Sequence, residues 1–101
     1  MSLNITALCA LRRDFHAHPE LGFQELRTKA KIAGFLRDSG LDVHEGVGVV
    51  GVLRAGSGNR SIGVRADMDA LPFEEIGRHA HRSTTPGVMH ACGHDGHIAM
   101  L

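Results

Sequence analysis

Ser61-Ile62-Gly63-Val64-Arg65-Ala66-Asp67-Met68-Asp69-Ala70-Leu71-Pro72 is the stretch on which the fold turns. Its first seven residues include β-branched Ile62 and Val64 and read as a buried strand. Two carboxylates, Asp67 and Asp69, stand at the C-terminal end of that strand, and Pro72 closes it. In α/β proteins this edge of the sheet is where active sites gather. Asp67 and Asp69 are two apart, so on an extended chain they share a face. Like charges held together raise each other's pKa unless a cation sits near, and a metal or Arg65 would serve.

Upstream, residues 41–45 and 47–54 also carry β-branched side chains. Gly56-Ser57-Gly58-Asn59 predicts a turn that pairs 47–54 with 61–68 as a hairpin. Before the strands, helical spacing of Ile5, Leu8, Leu11 and Phe15 predicts a helix over 5–18, capped by Asn4 or Thr6 and ended by Pro19 and Gly22. A second helix over 24–39 puts Leu26, Ala30, Ala33 or Ile32, and Leu36 on one face, turns Lys29, Lys31 and Arg37 outward, and ends at Gly40. Pro72, Gly77, Pro86 and Gly87 break 72–88 into a long loop, a kind of segment that tends to be functional. A last helix starts at Gly96, and its apolar run Ile98-Ala99-Met100-Leu101 carries no stop signal. The expectation is an α/β fold of two helices, then a β-hairpin and a mixed sheet, forming the N-terminal portion of a larger protein.

The chain has 101 residues, 43% of them hydrophobic, enough for one small domain with a core. Eleven basic residues balance eleven acidic ones, so no cationic surplus draws it to nucleic acid or an anionic membrane. No apolar run is long enough to span a bilayer. Residues 1–11 lack a basic n-region followed by a long apolar run, so a reducing cytoplasmic setting is expected for Cys9 and Cys92. Cys9, inside an apolar helical stretch, reads as a small buried hydrophobe.

Eight histidines are the outlier, and they concentrate in His90-Ala91-Cys92-Gly93-His94-Asp95-Gly96-His97. Thiolate and imidazole two residues apart on a glycine turn favour zinc-like metals over magnesium or calcium, which makes Cys92 and His94 candidate ligands. His90 and His97 are expected to support or to be solvated. The competing view is a buried Cys in a tight turn with surface histidines. Elsewhere, His16 and His18 read as helix-terminus histidines that favour the helix dipole. His79, His81 and the pair Glu74-Glu75 read as solvated loop residues.

Three segments together resemble a known family: residues 12–23 (RRDFHAHPELGF), 63–72 (GVRADMDALP) and 86–97 (PGVMHACGHDGH). They resemble, in order and kind of spacing, the N-terminal part of the di-metal amidohydrolases that include hippurate hydrolase, N-acyl-amino-acid amidohydrolases and auxin-conjugate hydrolases. The resemblance implies a metallopeptidase-like catalytic domain, with Cys92 and His94 as metal ligands, Asp67 as the active-site acid and Asp69 in support. It implies two divalent ions, drawn from Zn, Mn, Co or Ni, and a small N-acyl amino acid as substrate. Relatives continue with a glutamate pair, late histidine ligands and an inserted dimerisation domain, all outside these 101 residues. A homo-oligomer is therefore allowed for the whole protein, and little activity is expected of this portion alone. The resemblance also makes Cys92 a ligand rather than the nucleophile of a cysteine amidase. The alternative from another class is a small non-catalytic module that uses the Cys/His turn as a stabilising metal site.

Overall fold

A computed structural model describes residues 4–101. Helix α1 spans Ile5–Ala17, α2 spans Leu26–Asp38, strand β1 spans Asp42–Glu45, β2 spans Val49–Val52, and α3 spans His94–Met100. The first helix starts where expected, because the Asn4 side chain accepts a hydrogen bond from the Ala7 amide at 3.0 Å. It ends at Ala17, one residue before the expected end at His18 and two before Pro19. Only Phe15 and His16 of α1 are buried, so the apolar face dips into the core at its C-terminal end alone, and Ile5 stays 60% exposed. Cys9, expected inside, is exposed on that same open stretch.

The second helix is capped from a distance. The carboxylate of Glu20 accepts from the Arg27 amide at 3.0 Å, from the Thr28 amide at 2.6 Å and from the Thr28 hydroxyl at 2.7 Å. Those amides lie in the first helical turn and have no partner inside the helix. Thr28 and Ala33 form the buried stripe of α2. Leu26, expected on the core face, lies 75% exposed in the first turn. At the other end Gly40 takes φ 87°, its amide reaches the Arg37 carbonyl, and the Leu41 amide reaches that of Leu36. This left-handed closure satisfies the last carbonyls and needs glycine.

The chain then forms a hairpin, though not the expected one. β1 pairs antiparallel with β2, from Asp42 opposite Val52 to Glu45 opposite Val49. The connection is Gly46-Val47-Gly48, closed by the Gly46 amide on the Gly48 carbonyl. The hairpin lies close on α2 because Gly51 has no side chain: a Cβ there would stand 3.0 Å from a Leu41 methyl and 3.1 Å from a Leu36 methyl.

The expected partner strand over 61–68 is not formed, and the Gly56–Asn59 turn leads into unpaired extended chain. Ile62 is 91% exposed and Val64 70% exposed, which overturns the buried-strand expectation. The three-residue connection brings 42–45 to 49–52 at once, and β character without a ladder and a covering layer does not make a strand. Pairing resumes at two isolated bridges, Leu21 with Ala70 in parallel and Leu71 with Met89 in antiparallel. The α/β class stands, and among the described residues the mixed sheet reduces to these bridges. The buried apolar residues are few (Phe15, Ala33, Ala70 and Ala99), and polar His16, Glu25, Thr28, His90 and Asp95 are buried with them.

Candidate metal centre

The Leu71–Met89 bridge brings the segment before the Cys/His turn alongside the segment after Asp69. Gly93, at φ 85°, then turns the chain into α3. A Cβ there would meet His97 no closer than 3.8 Å, so the left-handed backbone rather than space demands glycine. The turn places the His94 Nδ1 2.8 Å from the Asp69 carbonyl oxygen and 3.0 Å from Asp69 Oδ1. A carbonyl oxygen only accepts, so Nδ1 carries the hydrogen. In the neutral ring this leaves the Nε2 lone pair free, the form in which histidine ligates a cation, with a carbonyl or carboxylate fixing the tautomer. Cys92 is a free, exposed thiol. Asp67, about half exposed, meets Arg65 at 2.9 Å. The structure thus joins His94 to Asp69 and turns Asp67 toward Arg65. A thiol, an imidazole and a carboxylate are donor types that suit a borderline divalent ion, although among the described residues Cys92 and His94 belong to no group of three donor atoms within 4.8 Å.

Beneath this turn lies a network that the sequence reading assigned to solvent. His16 is buried, with Nδ1 2.8 Å from Asp95 Oδ2 and Nε2 2.8 Å from Glu75 Oε2. Both nitrogens face carboxylate oxygens. Asp95 Oδ2 also receives Arg12 Nε at 2.9 Å. Glu75 is shut away, its side chain 3% exposed, and takes His79 Nε2 at 2.9 Å and the Ser83 amide at 2.6 Å. Glu75 and His16 are therefore not the solvated or dipole-favouring residues expected, while His79 stays exposed as expected and is paired with Glu75. His81 stacks on His79 at 4.2 Å between ring centroids. A signal was available: Arg12 and His16 stand four apart on one helical face next to Phe15.

Burial alone would raise the Glu75 and Asp95 carboxyls. Hydrogen bonds outweigh it, from His16 and the Ser83 amide to Glu75, and from His16 and the Gly96 amide to Asp95, so both lie below their ordinary values. The donor atoms of His16, Glu75 and His79 all lie within 4.8 Å of one another. Both His16 nitrogens lie at hydrogen-bond length from carboxylate oxygens, which ties the ring to Asp95 and Glu75. The trio is a charge-paired network. His90 differs: it is 4% exposed, and neither ring nitrogen has a partner among the described residues. Burial pushes its imidazole below the ordinary value, toward the neutral ring.

Residues 63–101 match the family described as Peptidase family M20/M25/M40. The chain resembles the N-terminal part of these di-metal hydrolases, as its three motifs imply. Hippurate hydrolase of Campylobacter jejuni is 48% identical over 94 residues, covering 90% of this chain and 24% of that protein. Thermostable carboxypeptidase 2 of Saccharolobus solfataricus is 47% identical, again over 90% of this chain and 24% of its own length. A solved Bacillus subtilis structure, described as a dinuclear metal-binding peptidase of the M20 family, superposes with a TM-score of 0.89 at 40% identity, covering 93% of this chain and 27% of that one. The chain thus spans about a quarter of the length of the curated relatives it matches.

Proposed function

We propose that this chain supplies part of the catalytic site of a metal-dependent amidohydrolase that cleaves the amide bond of N-acyl amino acids such as hippurate. The observation that carries this reading is the Asp69-oriented His94, two residues from the free thiol of Cys92. Cys92 as thiolate and His94 through Nε2 hold a divalent ion, one of two drawn from Zn, Mn, Co or Ni. When bound, such ions lower the pKa of a coordinated water and polarise the acyl carbonyl. Asp67 acts as the active-site acid, and Asp69 fixes the tautomer and angle of His94. The glutamate base and the remaining ligands belong to later parts of the relatives, so residues 1–101 form an incomplete N-terminal part of the catalytic domain and alone hydrolyse little. Glu74 and Glu75 do not supply that base, since Glu75 is tied to His16 and Glu74 accepts from the Gly87 amide.

The substrate class has chemical support from the two relatives. Hippurate is benzoylglycine, and a carboxypeptidase releases a C-terminal residue. Both named reactions break an amide whose nitrogen belongs to an amino acid with a free carboxylate. A reducing, cytoplasmic location suits two free exposed thiols. Among the described residues no helix is long and apolar enough to cross a membrane. The test is metal content together with hydrolysis of hippurate and N-acetyl amino acids, for the chain and for the whole protein. The whole protein should carry metal and hydrolyse them, and Cys92→Ala should lose both. A Cys92→Ala protein that keeps its metal and its rate overturns the reading.

A further inference from the structure

We infer that His16 is a positioning residue for the metal centre, acting through Asp95 on the Cys92–His94 turn. The inference rests on the reading that Cys92 and His94 hold a divalent ion. Asp95 follows His94 directly in the first turn of α3 and is 1% exposed. Its Oδ2 is held by two donors from one face of α1, His16 Nδ1 at 2.8 Å and Arg12 Nε at 2.9 Å. The other nitrogen of His16 holds Glu75, whose second oxygen takes the Ser83 amide and so fixes the 72–88 loop. One imidazole therefore ties α1, the loop and α3 together.

The direction of α3 sets where the His94 ring leaves the backbone. That ring is clamped on its far side by Asp69, which follows a segment with no ladder of its own. Without the Asp95 anchor, the His94 ring and the Cys92 thiol are joined only through Gly93, the most permissive residue of the turn. A ligand pair needs its supporting shell held to well under an ångström to bind at full strength. Partners that hydrogen-bond a ligand directly typically contribute roughly 10–100-fold to metal affinity, and Asp95 acts through the backbone one residue from His94.

Cobalt(II) titration of the metal-free whole protein tests this, read by the thiolate-to-cobalt charge-transfer band and by the dissociation constant, at a temperature where circular dichroism shows each variant folded. His16→Gln carries both its N–H donors on one nitrogen and so does not reach Asp95 and Glu75 from the two sides of a ring as imidazole does. It should weaken cobalt binding by roughly 10–100-fold and shift or weaken the band. Asp95→Asn keeps the shape and loses the charge; it should move both readings the same way, and it decides the matter if His16→Gln does not fold. Thr28→Ala removes a buried hydroxyl on α2, remote from the network. It should lower the melting temperature and leave band and affinity alone, which separates positioning from general destabilisation. A folded His16→Gln or Asp95→Asn with the parent's band and affinity overturns the inference. A Cys92→Ala protein that retains the band overturns the underlying metal reading instead.

Discussion

Gly93 carries more than its size suggests. It stands between the two proposed ligands at φ 85°, a conformation that costs a residue with a Cβ about 1–2 kcal/mol. Gly93→Ala should therefore lower stability by about that amount, read by urea unfolding, and should also weaken cobalt binding, because relief of the strain rotates Cys92 against His94. Alanine with unchanged metal affinity would mean that the turn does not set the ligand geometry. At this scale the sequence was partly readable. Asn4, Pro19 and Gly40 act through rules that involve only their neighbours, and they cap and stop helices as their positions suggest. His16, Glu75 and Asp95 were hardly readable, because their partners lie 59 and 79 residues away and the one local sign is the spacing of Arg12 and His16 beside Phe15.

Among the elements, α2 depends on a residue outside itself. Glu20 serves two first-turn amides and a hydroxyl, and Glu25, the residue at the cap position, makes no side-chain cap bond. Glu20→Ala should cost about 1–3 kcal/mol, since buried donors lose their acceptor, and should increase amide exchange at Arg27 and Thr28 first. Unchanged exchange there would show that water caps the helix equally well. The strands teach a different lesson. Residues 61–68 have the composition of a strand, but composition does not choose a partner, and 49–52 pairs with 42–45 instead. The two isolated bridges at Ala70 and Leu71 involve segments far apart in sequence, which no periodicity announces.

For the molecule as a whole, few apolar side chains are buried, and charged networks take a large share of the interior. This makes acid its weak side. The Glu20 and Glu75 carboxyls both lie below the ordinary value of 4.5 once folded, because hydrogen bonds and nearby cations outweigh the burial that would raise them. The unfolded chain then binds the protons more readily than the native one. Their contribution is fully present above about pH 4.5 and is lost as pH falls through the lower native values. Stability measured by denaturant titration should be flat with respect to these groups at neutral pH and fall below that point. Glu75→Gln should flatten the fall. An acid limb identical in parent and Glu75→Gln would show that Glu75 is not held as described.

The tie between His16 and Asp95 joins residues 79 positions apart in the chain. A ribosome adds roughly 5–20 residues per second, so α1 waits about 4–16 seconds for the helix that completes it. Through that interval Arg12 and His16 face water with their eventual anion not yet made, and Phe15 beside them has no cover from α3. The nascent chain is thus exposed to misassociation at its first helix until Asp95 emerges, and slower translation of the 72–94 stretch lengthens that exposure.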